Sequence, residues 1–295
     1  LLLLDSLKNR THPTCGRLIL EEMIAHQLSL LYRKQQLHQH KAPRCDSTSP
    51  LAERLIASLP FTPTNAQTRV VSEIVNDLAT SVPMLRLVQG DVGAGKTLVA
   101  ALAACYALDS GWQVAVMAPT EILAEQLYYK LHEWFTPLNV NVAWLASSVT
   151  KKNKQSVYDA LEKGEVHILV GTHALIQESV RFYDLGLAVI DEQHRFGVKQ
   201  RLALRTKMKE SVCAINDGQE HAPHQLMMSA TPIPRTLALS YFADLDVAVI
   251  DELPPNRTPV RTQLIEVRRR DEVVAKVAQD VRELRQVYWV CPLIE

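Results

Sequence analysis

The sequence predicts an α/β domain with a mostly parallel sheet, preceded by a helical segment and followed by a short, incomplete region. Short apolar runs alternate with longer segments of helical periodicity between residues 61 and 253. This alternation is typical of a parallel sheet covered by helices on both faces. A glycine-rich turn also joins the first apolar run to the next helix, and this class of fold binds ligands at the carboxyl ends of its strands.

Residues 1–58 are predicted to form a helical segment and a linker. Apolar residues recur at roughly helical spacing over residues 17–31, which indicates a helix. The polar stretch at 43–50 contains two prolines and is typical of a linker, and a short helix is expected at 51–59. The chain starts with four leucines, which are too few for a signal sequence, and it has no initial Met. We therefore expect it to begin within a longer protein.

Residues 59–253 are predicted to form the main domain. Its expected strands lie at 84–89, 113–118, 140–145, 166–170, 187–191 and 225–229. Its expected helices lie at 66–78, 96–108, 121–135, 154–162 and 235–242.

A second, truncated domain is predicted at residues 254–295. Pro254 and Pro255 interrupt the alternation and are interpreted as a hinge. A strand at 262–267, a helix at 271–284 and a strand at 287–291 are expected to follow. One helix and two strands cannot bury a sheet, so we expect this domain to be cut short.

Composition excludes few function classes. The chain has 32 basic and 32 acidic residues, so it lacks the strongly basic balance that would by itself indicate a nucleic-acid-binding surface. Its five cysteines are scattered without metal-ligand spacing, which favours reduced thiols and a cytoplasmic location. No run approaches the roughly 20 apolar residues of a membrane span.

A phosphate-binding loop is predicted between the first strand and the helix after it. The pattern G-x-x-x-x-G-K-[ST] is matched by Gly90, Asp91, Val92, Gly93, Ala94, Gly95, Lys96 and Thr97. Glycines let backbone N–H groups point at phosphate oxygens, and the positive end of the following helix adds to the field. In this pattern Lys96 contacts the β- and γ-phosphates and Thr97 binds Mg²⁺. The loop therefore predicts binding of ATP or GTP with Mg²⁺.

An acidic pair, Asp191 and Glu192, follows the apolar run at 187–190. A carboxylate at a strand end can bind Mg²⁺, and a second one beside it can orient the attacking water. We assign Asp191 to the metal and Glu192 to the water. Charged pairs at strand ends are common, but this pair follows a phosphate loop in the same predicted sheet.

Ser229 and Thr231 follow the apolar run at 226–228 and precede a proline. Two short hydroxyls at a strand end can hydrogen-bond a neighbouring acidic pair and couple its state to movement. A Ser/Thr-Pro sequence is also an ordinary turn, so this signal is weak by itself.

Gln67 precedes the phosphate loop in the sequence and has two explanations. Its side-chain amide offers a donor and an acceptor, which suits the edge of adenine. Thr64 and Gln67 also have the spacing of a helix capping box. Both explanations can hold at once.

Together these motifs resemble those of superfamily-two helicases, and their sequences are closer still to the RecG family of branched-DNA helicases. The resemblance covers roughly residue 15 to the end. It is carried by LPFTPTNAQ at 59–67, RLVQGDVGAGKTLVAALAA at 86–104, APTEILAEQ at 118–126, VGTHALIQ at 170–177, IDEQHRFGVKQRLAL at 190–204, SATPIPRTLAL at 229–239 and DLDVAVIDELPPNRTPV at 244–260.

The resemblance implies two RecA-like domains, ATP and Mg²⁺ as cofactors, and branched, single-stranded or double-stranded DNA as the partner of a monomeric repair and recombination enzyme. It implies that Gln67 contacts adenine and that His194, Ser229 and Thr231 couple hydrolysis to movement. DNA-backbone contacts are implied for Pro119, Thr120, Glu121, Gly171, Thr172 and His173. Arg235 and residues 195–201 resemble the coupling region. The sequence departs from the family at 146–148, where Ala-Ser-Ser replaces a Thr-Gly-Ser step.

Three alternatives remain open. The chain could resemble a transcription-repair coupling factor, which shares the GDVG-x-GKT and HRFG motifs, although Gln193 and PTEILAEQ favour the RecG family. A nucleotide-binding module without motor activity fits a chain that ends before a second-domain arginine, because such an arginine is worth roughly 10³–10⁵ in rate. These 295 residues alone are therefore expected to bind Mg-ATP but hydrolyse it poorly. A small-molecule kinase shares only the phosphate loop.

Overall fold

A computed structural model describes residues 13–37, 41–146, 149–177, 179–192, 222–231, 245–252 and 260–291. The chain divides into two compact units, Leu1–Pro254 and Pro255–Glu295. The first unit contains the sheet, and the described part of the second contains a helix and irregular segments.

The sheet of the first unit is parallel throughout the part that the structure describes. Its strands are β1 (Leu85–Gly90), β2 (Gln113–Met117), β3 (Val142–Leu145), β4 (Ile168–Gly171), β5 (Leu185–Asp191), β6 (His224–Ser229) and β7 (Asp246–Ile250). Their order is β3-β4-β2-β5-β6-β1-β7. The predicted fold class and the six predicted strands are confirmed, with strand ends that differ by at most two residues.

Helices cover both faces of this sheet. After α1 (Pro13–Leu37), which contributes no residue to the described core, the covering helices are α2 (Pro50–Ser58), α3 (Asn65–Leu78), α4 (Lys96–Asp109), α5 (Glu121–Phe135) and α6 (Lys151–Glu162). Successive strand residues point to opposite faces. Val88 and Val116 therefore pack with α2 to α5 on one face, whereas Leu87 and Met117 pack with α6 on the other.

Helix α4 lies at the centre of the first face. Nine of its residues are buried, from Leu98 to Ala107, because its sequence is apolar on every side. A helix that is apolar all round belongs in the interior of a domain. The phosphate loop that precedes α4 is therefore held by a rigid core element.

The strand β7 was not among the predicted strands. Only Ala248 and Ile250 of its five residues are buried, because β7 is the edge strand beside β1. An edge strand that is half exposed lacks the continuous apolar run that marks the central strands. The predicted helix at 235–242 lies outside the described residues.

The stretch at 43–50, predicted to be a linker, is bonded to the sheet domain. The Ala42 N–H donates to the Ser81 carbonyl at 2.9 Å, and the Cys45 N–H donates to the Leu78 carbonyl at 2.9 Å. Leu55 in α2 is fully buried. Residues 41–58 thus pack onto the sheet domain, because their few apolar side chains face its core. The side chains described in α1 are exposed, apart from the half-buried Cys15.

The second unit differs from the sequence prediction at two places. Its helix, α7 (Arg270–Arg282), is confirmed. The predicted strands at 262–267 and 287–291 are wrong, since both segments are irregular and exposed. Residues 260–291 contain no strand that could pair with them, and an unpaired strand has no ladder to stabilise it.

Candidate nucleotide-binding site

The phosphate loop connects β1 to α4 at the carboxyl edge of the sheet. Gly93 and Gly95 have φ values of 80° and 85°, a left-handed conformation that favours glycine. Gly95 is the N-cap of α4 and has no side chain to cap the first amides of the helix. Backbone N–H groups at a helix start attract anions. This backbone geometry is suited to a phosphate chain.

The Lys96 side chain bends back over the loop. Its Nζ donates to the Gly90 carbonyl at 2.8 Å and to the Asp91 carbonyl at 3.0 Å. Partial burial lowers the pKa of Lys96, while the charges of Glu192, Asp191 and Asp91 act in the opposite direction. The ammonium thus lies within electrostatic reach of the acidic pair, in a position from which it can turn from carbonyl to phosphate oxygens.

Asp191 and Glu192 stand at the end of β5, two strands away from β1. Asp191 is level with Met228 of β6, and Met228 is level with Val88 of β1. With neighbouring strands about 4.8 Å apart, this register places the Asp191 backbone roughly 10 Å from β1. The structure therefore brings the acidic pair and the phosphate loop to the same edge of the sheet.

Glu192 has an unusual backbone conformation. Its φ is 50°, and its N–H donates to Oδ1 of Asp191 at 3.1 Å. Left-handed conformations are uncommon outside glycine and often mark functional positions. No sequence pattern signals this conformation at Glu192.

The hydroxyls of Ser229 and Thr231 bond to each other at 2.9 Å. The Thr231 N–H also donates to the Ser229 hydroxyl at 3.2 Å, and Nε2 of Gln89 donates to the Thr231 carbonyl at 3.1 Å. Ser229 is the last residue of β6, which lies between the phosphate-loop strand and the acidic strand. The turn expected before Pro232 is therefore present, and it is anchored to β1 by Gln89.

Gln67 links the start of α3 to the phosphate loop. The capping box between Thr64 and Gln67 is present, with the Thr64 N–H donating to the Gln67 Oε1 at 2.9 Å. The other half of the amide donates from Nε2 to the Ala94 carbonyl at 2.8 Å. Gln67 is only 3% exposed. Its contact with the loop was not expected from the sequence, because the two residues lie 27 positions apart.

The segments predicted to contact DNA lie side by side. The Ala118 N–H donates to the Gly171 carbonyl at 3.0 Å, so the chain after β2 runs beside the chain after β4. The Thr120 hydroxyl is exposed and caps α5 by accepting from the Leu123 N–H at 3.3 Å. Pro119 and Glu121 are partly buried.

In the second of these segments, exposure differs sharply between neighbours. His173 is exposed, whereas Gly171 is buried and Thr172 is 1% exposed. The Thr172 hydroxyl is one of the buried side-chain atoms in the described residues that have no hydrogen-bond partner. A direct contact from this hydroxyl to DNA would require the segment to open. His194, Arg235, Ser147, Ser148 and residues 195–201 lie outside the described residues.

The donor set fits Mg²⁺ bound together with a nucleotide. No cluster of three or more His, Cys, Asp or Glu side chains is present among the described residues. Mg²⁺ is usually held by one or two carboxylates together with substrate phosphates and water, without a protein cage. Thr97 at the start of α4 and Asp191 at the end of β5 are the residues that would hold it.

The comparisons with known proteins agree with this geometry. A family model described as DEAD/DEAH box helicase matches residues 64–239, which is more than half of the chain. The chain belongs to the DEAD/DEAH box helicase family.

Within this family the predicted resemblance to RecG is confirmed. The ATP-dependent DNA helicases RecG of Pasteurella multocida (strain Pm70) and Escherichia coli (strain K12) are each 52% identical over 293 residues, covering 99% of this chain and 41% of the relative. The chain thus spans about two fifths of the length of these relatives.

Solved structures give the same result. A structure of RecG bound to a three-way DNA junction has a TM-score of 0.77 at 41% identity, covering 89% of this chain and 34% of that one. Mss116p bound to single-stranded RNA and AMP-PNP has a TM-score of 0.57 at 15% identity, covering 81% and 51%. This second match supports the RecA-like fold alone.

None of the helices that the structure describes has both the length and the apolar character needed to cross a bilayer.

Proposed function

We propose that this chain provides the ATP-binding half of an ATP-dependent DNA helicase or translocase of recombination and repair that acts on branched DNA. The supporting observation is the position of Lys96 in the glycine-rich loop, within electrostatic reach of Asp191 and Glu192. The 52% identity to RecG over nearly the whole chain narrows this proposal from any ATP-hydrolysing motor to a branched-DNA helicase.

In this proposal the loop Gly90 to Thr97 binds the phosphates through its backbone, and Lys96 contributes the positive charge. Asp191 and Thr97 hold Mg²⁺, which neutralises phosphate charge when bound. Glu192 orients the attacking water, and His194 is a further catalytic residue in this proposal. Gln67 contacts adenine through the second N–H of its Nε2, which requires this buried amide to become accessible while the first N–H stays bonded to the Ala94 carbonyl. Ser229 and Thr231 couple the acidic pair to movement.

The proposed DNA contacts come from the two adjacent segments at 119–121 and 171–173. The exposed Thr120 and His173 are best placed to reach a DNA backbone. Thr120 caps α5, and a hydroxyl beside a helix start suits a phosphate contact, which positions the DNA without reading its sequence. We include a monomeric state and a cytoplasmic location in the proposal, the latter supported by four free cysteines among the described residues.

Two substitutions separate nucleotide binding from turnover. Lys96→Ala should abolish binding of a fluorescent ATP analogue, because the cation that offsets the phosphate charge is lost. Glu192→Gln should leave binding unchanged and should abolish DNA-stimulated phosphate release by the full-length protein, because water is no longer oriented. Glu133→Gln, on the exposed face of α5, is the matched control. Normal phosphate release by the Glu192→Gln variant would refute the assigned role.

A further inference from the structure

The strand β7 ends directly beside the phosphate loop. Ile250 is paired in register with Gly90, and a Cβ atom placed on Gly90 would lie 3.2 Å from the Ile250 Cβ. The exposed carboxylates of Asp251 and Glu252 follow at once. The backbone of the first unit therefore leaves the sheet at the point where the phosphate loop begins.

Both carboxylates contact the start of α3, Glu252 at its first turn and Asp251 at Arg69 just beyond it. Oε2 of Glu252 accepts from the Ala66 N–H at 3.0 Å. Nη2 of Arg69 donates to Oδ1 of Asp251 at 2.7 Å and to the Val249 carbonyl at 3.0 Å. The first amides of a helix have no partner within the helix, and its positive end attracts a carboxylate. Glu252 thus caps α3 from a position 186 residues away in sequence.

The same turn of α3 also holds the phosphate loop. Gln67, the residue after Ala66, donates to the Ala94 carbonyl at 2.8 Å. Its other amide atom is bonded within the capping box to Thr64, so the side chain is fixed at both ends. A displacement of Ala94 must therefore displace Gln67, the first turn of α3 and the carboxylates bound to it.

We propose that Asp251 and Glu252 are positioning residues. Through Gln67 and the first turn of α3, they couple nucleotide binding at the phosphate loop to the ordering of residues 249–252 at the end of β7. This inference rests on the proposed function, because it requires a nucleotide at residues 90–97. Coupling of this kind is reciprocal. A nucleotide that orders the loop also orders residues 249–252, and loss of the Glu252 cap loosens the loop and weakens nucleotide binding.

Hydrogen–deuterium exchange of the 295-residue chain with and without Mg-ADP tests this proposal, together with calorimetric titration of Mg-ADP. In the unmodified chain, Mg-ADP slows exchange in peptides covering 90–97 and also in those covering 245–252. In Glu252→Ala, protection at 90–97 remains, protection at 245–252 is lost, and the affinity falls about three- to tenfold, the equivalent of one ordinary hydrogen bond. Glu252→Gln keeps a carbonyl oxygen as acceptor and restores part of both effects.

Glu133→Ala is the matched control, because Glu133 forms an exposed ion pair with Lys130 at 3.1 Å on α5. This variant retains normal affinity and the normal exchange pattern. A merely structural role for Glu252 would change the thermal stability of the variant but neither its Mg-ADP affinity nor the nucleotide-dependent protection at 245–252. That result would overturn the proposal. Failure of the unmodified chain to bind Mg-ADP would instead refute the proposed function, and the coupling with it.

Discussion

His224 is expected to be essential for the stability of the sheet domain. It lies at the start of β6, is fully buried and forms two hydrogen bonds to backbone. The Met84 N–H donates to Nδ1 at 3.1 Å, so Nδ1 is unprotonated and Nε2 donates to the Pro43 carbonyl at 2.7 Å. The neutral ring therefore joins the start of β1 to the segment that precedes α2.

Replacement of His224 by Leu leaves a buried N–H and a buried carbonyl without partners. Each such group costs about 1–3 kcal/mol, and the added apolar burial offsets part of this cost. We expect the free energy of unfolding to fall by about 2–4 kcal/mol, which is a large part of the roughly 5–15 kcal/mol of an ordinary domain.

Urea denaturation followed by tryptophan fluorescence measures this change. His26→Leu, on the exposed face of α1, is the control and should change the free energy of unfolding by less than about 0.5 kcal/mol. A similarly small change for His224→Leu would show that the two hydrogen bonds do not matter and would refute the reasoning.

The same site predicts a dependence on pH. Burial lowers the pKa of His224 below its ordinary value of 6.5, so the unfolded chain takes up this proton before the folded chain does. The contribution of His224 to stability is complete above the unfolded pKa and declines as the pH falls through it towards the folded pKa. The difference in stability between the unmodified chain and His224→Leu should therefore narrow from pH 7.5 to pH 5.5. A difference that stays constant over this range would contradict the lowered pKa.

Three further predictions concern stability and use the same denaturation assay. Leu55→Ala, in the fully buried part of α2, should cost about 2–5 kcal/mol; a cost below about 1 kcal/mol would mean that α2 is not part of the core. Asp109→Ala removes the acceptor of the Ser49 hydroxyl and the Leu51 N–H and should cost about 1 kcal/mol, whereas no loss would indicate that water replaces it. Thr64→Ala removes the capping box of α3 and should cost about 1 kcal/mol; an unchanged midpoint would argue against the cap.

The central strands and the phosphate loop were predictable because their signals are local. A buried parallel strand is a continuous apolar run, and the loop pattern dictates a particular backbone through Gly93 and Gly95. The placement of the motifs also followed in part, since ligands were expected at the carboxyl ends of the strands. The structure confirms this arrangement by placing Asp191 two strands from the loop.

The features that sequence reasoning missed depend on partners far away in the chain. β7 is half exposed and is a strand only because β1 pairs with it. Residues 43–50 look like a linker, yet Pro43 is bonded to His224 and Cys45 to the end of α3. The contact from Gln67 to Ala94 and the cap that Glu252 supplies to α3 likewise leave no pattern within a short window.

The strands predicted at 262–267 and 287–291 are absent for the opposite reason, because here the local signal was present and the distant partner was not. Their sequences have strand-like apolar content, but a strand needs a neighbour, and this part of the chain supplies none. Local propensity was therefore not sufficient to form a strand.

The central claim is that a triphosphate at the loop and the carboxylate of Asp191 share one Mg²⁺ ion. Calorimetric titration of the 295-residue chain with AMP-PNP, in Mg²⁺ and in EDTA, tests this claim directly, with Asp159→Asn on the exposed face of α6 as the control. We expect Mg²⁺ to strengthen binding in the unmodified chain and in Asp159→Asn, and to have little effect in Asp191→Asn. An equal gain from Mg²⁺ in Asp191→Asn would contradict the account.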